Sequence, residues 1–218
     1  MSTEFVQALI DPRIFKRYFI QETPFHRVVQ SIFAPLFSTF VLDVQAQGVE
    51  NIPTEGAVIL AINHVSMYDV LPLQIILPNR PIFYMAKEEL FRNFITDILF
   101  RHLCAFPVYR NGGDIWAMSF ALQVLKNKQV LAVFPEGTRS RGRGLGDGKS
   151  GAARLAIKAQ CPVVPIALDG TQHVFDSFPQ RTPVTVNIGN PIYPETEKDS
   201  AILTQRIMSV IASMLPNE

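Results

Sequence analysis

The 218-residue chain predicts an α/β fold. A mostly parallel or mixed central sheet is covered by helices on both faces, and a separate helical segment precedes it. Three observations carry this expectation. Apolar runs without polar alternation, such as Ala-Val-Ile-Leu-Ala-Ile over 57–62 and Val-Leu-Ala-Val-Phe over 130–134, suit strands buried on both faces. These runs alternate with stretches whose apolar residues recur at helical spacing, the pattern of strands joined by crossover helices. Finally, 48% of residues are hydrophobic and only 18% charged, enough to build a core and too apolar for a disordered chain.

Residues 1–42 form the first unit. They hold seven of the 16 phenylalanines (Phe5, Phe15, Phe19, Phe25, Phe33, Phe37 and Phe40), together with Arg13, Lys16, Arg17 and Arg27. Apolar residues fall at helical spacing at Ile14, Phe15, Tyr18 and Phe19, and again at Val28, Val29, Ile32, Phe33, Leu36, Phe37 and Phe40. Pro12, Pro24 and Pro35 are expected to cut this pattern into short helices.

Residues 43–218 form the second unit, the α/β domain. Residues 57–62 read as a strand, 71–77 as a short helix and 82–85 as a strand. One helix is expected over 90–103, an extended piece over 106–109 and a helix over 115–125. Strands follow at 130–134 and 163–168, with a helix at 152–159 between them. A strand at 184–188 and a helix at 200–215 close the chain.

Charge and cysteine content remove several functions. Twenty Lys and Arg against 19 Asp and Glu leave a formal charge of +1, so no nucleic-acid partner is expected from a general basic excess. Cys104 and Cys161 stand alone, outside any CxxC or Cys/His cluster, so neither a disulfide framework nor a metal site is expected. The amino terminus lacks a basic region followed by a compact apolar run, which argues against a signal peptide and for a cytoplasmic setting. A mean hydropathy of +0.17 raises the question of a membrane. The longest uncharged stretch covers 28–42, with Gln30 and Pro35 inside it, and falls short of the ~20 apolar residues a spanning helix needs. The expectation is a chain that touches a bilayer without crossing it.

Chemistry concentrates where strands end. The strand at 57–62 runs into Asn63-His64-Val65-Ser66-Met67-Tyr68-Asp69, and in an open α/β sheet functional groups gather at such ends. His64 and Asp69 meet only if His64 lies in the loop and Asp69 in the first turn of the next helix. A carboxylate placed there holds one imidazole nitrogen and leaves the other as a general base. The competing structural role is a helix cap by Ser66 or Asp69. No Ser or Cys sits in a nucleophile motif, so the pair would activate a hydroxyl brought by a substrate.

The second feature is Phe134-Pro135-Glu136-Gly137-Thr138-Arg139-Ser140-Arg141, again at a strand end. From Arg139 to Lys158 there are six basic residues against one acid, Asp147. A basic, glycine-rich loop at a strand end suits a phosphate-bearing ligand; a solvated surface is the plainer alternative. Gly148-Lys149-Ser150 is not a P-loop, because the first glycine of that motif would fall on Arg143.

Asn63-His64-x-Ser66-x-x-Asp69 and Phe134-Pro135-Glu136-Gly137-Thr138-Arg139-Ser140 resemble the first and third blocks of the glycerolipid acyltransferase family, typified by 1-acylglycerol-3-phosphate acyltransferases. Phe106-Pro107-Val108-Tyr109-Arg110 is similar to the second block and Cys161-Pro162-Val163-Val164-Pro165-Ile166 to the fourth. The resemblance spans roughly 48–194. It implies acyl transfer from acyl-CoA or an acyl carrier protein thioester to the hydroxyl of lysophosphatidic acid, with no further cofactor. His64 would be the general base and Asp69 its orienting partner. Arg110, Glu136, Gly137, Thr138 and Arg139 would lie around the acceptor phosphate, with Lys149 as an additional phosphate ligand. Tyr109 and Cys104 depart from the block-two pattern, where an acidic residue and a glycine are frequent, and this bears on acceptor preference.

Related acceptors are glycerol 3-phosphate, another lysophospholipid or a lyso-ornithine lipid, and the non-enzymatic alternative is a peripheral lipid-binding protein. A lipid acceptor resides in the bilayer. Residues 1–42, with their aromatic and basic side chains, are therefore expected to dock on the cytoplasmic face of the membrane as amphipathic helices.

Overall fold

A computed structural model describes residues 11–109, 113–140, 143–176, 178–194 and 199–216. Seven strands form one sheet: β1 (Leu42–Gln47), β2 (Val58–Ile62), β3 (Ile82–Lys87), β4 (Ala105–Val108), β5 (Val130–Val133), β6 (Val163–Asp169) and β7 (Thr182–Ile188). Their order is β1-β7-β6-β2-β5-β3-β4. All pairings are parallel except β6 with β7, so the sheet is mixed and mostly parallel.

The helices are α1 (Pro24–Phe40), α2 (Val70–Ile76), α3 (Phe94–His102), α4 (Ile115–Lys126), α5 (Gly151–Ala159) and α6 (Ser200–Met214). Alternate strand residues serve opposite faces, as the two-residue period of a strand requires. Ile59, Ala61, Leu131, Val133 and Val163 pack with α4, α5 and α6 through Ala117, Val124, Leu155 and Ile207. Val58, Leu60, Ile62, Val130, Ala132 and Val164 pack on the other face with Leu73 of α2 and Phe100 of α3. Helices on both faces explain why these strands lack polar alternation.

Several expectations are corrected. The spacing at 14–19 does not make a helix. Asp11 caps a short 3-10 turn, Pro12–Phe15, and the chain is already extended at Lys16. The cause is Arg13, which is buried and binds Asp114 through both terminal nitrogens, at 2.6 and 2.7 Å, and the Pro107 carbonyl at 3.1 Å. A charge that finds two carboxylates, Asp11 and Asp114, outweighs helical periodicity at this point.

Pro35 does not break α1, which runs through it. Ser31, whose carbonyl loses its usual N–H donor, is exposed there, so the lost bond does not leave a buried polar group. The single helix expected over 90–103 is a 3-10 turn, Glu88–Phe91, followed by α3. Asn93 starts α3 anew by accepting the N–H of Ile95 at 2.9 Å. Strand β1 had no expectation attached, although Leu42, Val44 and Ala46 alternate with Asp43, Gln45 and Gln47 as a half-covered edge strand should.

Candidate active site

Strands β6, β2 and β5 are neighbours in the middle of the sheet and run parallel. The loops that leave their C-terminal ends therefore emerge side by side, which brings 63–69, 134–140 and 170–173 together across more than 100 residues of sequence. Asn63 splices the first junction. Its side chain donates to the Leu168 carbonyl at 2.9 Å and accepts the Leu168 N–H at 2.7 Å, extending the β2–β6 ladder by one side chain.

His64 follows β2 in irregular backbone, and Asp69 stands immediately before α2 rather than in its first turn, so the two meet one position earlier than the sequence reading placed the carboxylate. Imidazole Nδ1 donates to Asp69 Oδ2 at 2.7 Å. Asp69 is completely buried and accepts further hydrogen bonds from the N–H of Val65 (2.9 Å), the N–H of Ser66 (3.1 Å) and the Thr171 hydroxyl (2.5 Å). Its side chain makes no cap on α2, while Ser66 Oγ accepts only from Tyr68 N–H at 3.3 Å. The capping alternative therefore does not describe Asp69. An acceptor ringed by donors takes its hydrogen bond from Nδ1–H and leaves Nε2 as the ring nitrogen turned away from Asp69. Nε2 has no partner among the described residues, and Phe134 stacks on the ring with centroids 4.1 Å apart at 24°.

The Phe-Pro-Glu-Gly loop is tied to the same histidine. Glu136 is buried; Oε1 accepts the His64 N–H at 2.7 Å and Oε2 accepts the Gly146 N–H at 2.9 Å. Ser140 N–H in turn donates to the His64 carbonyl at 2.7 Å. The loop turns at Gly137, whose φ of +70° is the left-handed conformation that favours glycine. A Cβ there would sit 2.9 Å from Lys149 Nζ, so the glycine also makes room for that lysine. Lys149 N–H donates to the Pro135 carbonyl at 2.9 Å, which lays its side chain over the loop.

The family model described as Acyltransferase matches residues 43–169, from β1 to the end of β6, and so includes both strand-end motifs. The chain belongs to the acyltransferase family. It is 31% identical over 176 residues to the 1-acyl-sn-glycerol-3-phosphate acyltransferase of Bacillus subtilis, covering 75% of this chain and 86% of that one. It is 29% identical over 145 residues to the mouse 1-acyl-sn-glycerol-3-phosphate acyltransferase alpha, covering 63% of this chain and 49% of the relative, so it spans about half the length of that protein. The crystal structure of the 1-acyl-sn-glycerophosphate acyltransferase PlsC of Thermotoga maritima matches with a TM-score of 0.71 at 24% identity, over 88% of this chain and 81% of that one. At that identity the likeness establishes the fold.

For an acyltransferase, the remaining expected residues divide into two groups. Thr138 and Arg139 are exposed on the loop that holds His64, and their side chains bond no other described residue. Lys149 is also exposed and makes no ion pair with a described residue. These groups are available to an anion. Glu136 faces inward with both oxygens taken by backbone N–H groups, so its carboxylate braces the loops. Arg110 lies outside the described residues. Among the described residues, no group of three or more His, Cys, Asp and Glu could hold a metal ion.

Asn63 and Thr171 were not among the expected site residues. Asn63 stood inside the first motif. Thr171 carried no local signal, since only the parallel pairing of β2 and β6 places it on Asp69. Cys104, at a position where the family often has glycine, adopts φ +61°. The backbone there is the one glycine favours, and the thiol is buried.

Proposed function

We propose that this acyltransferase moves a fatty acyl group from a thioester, on coenzyme A or acyl carrier protein, to the sn-2 hydroxyl of 1-acylglycerol 3-phosphate, giving phosphatidic acid. The observation that carries the reading is the His64–Asp69 pair, whose free Nε2 adjoins the basic Phe-Pro-Glu-Gly-Thr-Arg loop. An alcohol is a weak nucleophile at neutral pH, and a positioned base contributes ~10²–10⁴-fold. Nε2 takes the hydroxyl proton as the oxygen attacks the thioester carbonyl. The C–O bond forms, the tetrahedral adduct collapses with C–S cleavage, and the imidazolium returns the proton to the leaving thiolate. Asp69 holds the ring and stabilises its charged form. Thr138, Arg139 and Lys149 meet the acceptor phosphate, and Arg110 is a further phosphate contact that the sequence resemblance implies.

The acceptor is a lipid, and α1 supports a docking role at its membrane. Of the 17 residues of α1 only His26 is buried, while Phe25, Val28, Ile32, Phe33, Leu36 and Phe40 are exposed. A helix of that length extends about 25 Å, short of a ~30 Å hydrocarbon core, and no helix among the described residues is long and apolar enough to cross a membrane. In this reading α1 lies in the interface on the cytoplasmic side, with its phenylalanines at the acyl boundary.

The test is thiol release by the purified chain from acyl-CoA or acyl carrier thioester, with lysophosphatidic acid, glycerol 3-phosphate, other lysophospholipids and lyso-ornithine lipid as acceptors. Release with lysophosphatidic acid above the rest is expected. A different preferred acceptor would replace the substrate, and no release with any of them would favour a lipid-binding protein.

A further inference from the structure

A second surface, outside α1, lies where the Pro12–Phe15 turn meets the start of α3. Phe15, Lys16, Arg17, Arg92, Phe94 and Arg101 line an open cleft of about 450 Å³. Its rim is unusually apolar for a surface: Phe15 is 83% exposed, Phe94 77% and the adjoining Ile95 72%. Single exposed apolar residues are ordinary, but three large ones together mark a contact surface.

The charges around this rim are of one available sign. Asp97 is spent on Lys16 at 3.1 Å and Arg101 at 3.0 Å. Glu88 is paired with Arg92 at 3.2 Å and Glu89 with Lys87 at 2.8 Å. Arg17 has no carboxylate partner among the described residues; its guanidinium lies 5.3 Å from the Phe19 ring. Lys16, Arg17, Lys87, Arg92 and Arg101 thus face three neutralised carboxylates, and the surplus is positive. The patch is also continuous with α1, because Phe25 at the start of α1 meets His102 at the end of α3 with ring centroids 6.0 Å apart, and Leu99, between Ile95 and His102 along α3, is exposed.

We propose that this patch is a second membrane contact, selective for anionic phospholipid. Phe15, Phe94 and Ile95 enter the acyl boundary, and Arg17, with Lys16 and Arg92 beside it, meets the lipid phosphates. Apolar tips beside Arg17, which has no carboxylate partner among the described residues, and a rim with a positive surplus match a negatively charged bilayer surface. Continuity with the bare face of α1 favours one extended lipid footprint over a separate protein partner. The proposal rests on the reading of α1 as a membrane dock, and it adds that the dock is composite and charge-sensitive.

The test is co-sedimentation of the full chain with phosphatidylcholine vesicles and with vesicles also containing phosphatidylglycerol, at low and high salt. Wild type is expected to prefer the anionic vesicles and to lose that preference in high salt. Arg17→Glu changes two units of charge, each worth roughly 5-fold in partition near an anionic surface, so binding to anionic vesicles should fall roughly 25-fold. Phe94→Ser should weaken binding to both vesicle types. Turnover of a short-chain monomeric lysolipid should be unchanged in both variants. Binding lost with Phe33→Ser on α1 but unaffected by Arg17→Glu and Phe94→Ser would overturn this proposal and leave the docking role of α1 intact. Sedimentation with neither vesicle would overturn both. A dimer, or a complex with acidic acyl carrier protein, that Phe94→Ser breaks while vesicle binding stays normal would also overturn it.

Discussion

The Glu136 carboxylate accepts the backbone N–H of His64 at 2.7 Å across 72 residues of sequence, and its second oxygen accepts the Gly146 N–H. One buried side chain thereby ties the backbone of His64 to both limbs of the Phe-Pro-Glu-Gly loop. Because both partners are donors, both oxygens must accept.

Glu136→Gln keeps the shape and loses that property, since an amide nitrogen only donates. One N–H, of His64 or Gly146, is left without its carboxylate acceptor, at a cost of up to about 1–3 kcal/mol. Thermal unfolding should report the loss. Turnover should fall with it as the loop loosens, and an unchanged melting temperature would argue against the brace.

Asp69→Asn tests the orientation of the imidazole. The carboxylate accepts from His64, Val65, Ser66 and Thr171, and an asparagine cannot satisfy all four. The wrong tautomer of His64 becomes accessible, and kcat should fall ~10³–10⁴-fold with little change in acceptor KM. Thr171→Val removes one hydrogen bond to the carboxylate and leaves the Nδ1 contact in place. It should cost about 1.5–3 kcal/mol of stability and far less in kcat. Steady-state kinetics of the two variants, read beside their denaturation curves, separate these effects.

Arg139→Ala and Lys149→Ala test the anion site. Both side chains are exposed and make no ion pair with a described residue, so neither change should disturb folding. Each removes a charge-assisted contact of about 1.5–3 kcal/mol, a rise in acceptor KM of roughly 10- to 100-fold. Donor KM should stay within a few-fold, and equal effects on both substrates would move the phosphate elsewhere.

The sequence was informative wherever a pattern is local. Both motifs sit at strand ends because apolar runs at 57–62 and 130–134 stop at them, and the structure ends β2 at Ile62 and β5 at Val133. What was not legible depended on partners distant in sequence. Arg13 overrode a helical pattern because Asp114 waits 101 residues away, and Thr171 acquired its place from the order of β6 and β2. Strand β1 has a readable alternation, but its apolar residues are spaced among polar ones and its register comes from β7.

The cysteines make a prediction about pH. Burial pushes both thiols, Cys104 and Cys161, up from an ordinary value of 9.0 to about 12. In the folded protein they remain protonated and hidden at pH 8, so maleimide should label neither until the chain is unfolded, and activity should survive the reagent. The sign of the linkage follows. Unfolded thiols release protons near 9 and folded ones near 12, so their contribution to stability is complete below about 9 and is lost as pH rises toward 12. Above about pH 9 the urea midpoint of wild type should fall more steeply with pH than that of a Cys104→Ala, Cys161→Ala double variant, which lacks this linkage.

The central claim is that Nε2 of His64 removes the acceptor proton. The most direct measurement is single-turnover acyl transfer by His64→Ala at saturating thioester and lysophosphatidic acid, alongside its melting temperature. Loss of a positioned base predicts a rate lower by ~10²–10⁴-fold with the fold retained, since the Glu136 brace contacts only the backbone of residue 64. A folded His64→Ala protein that turns over at the wild-type rate would contradict it.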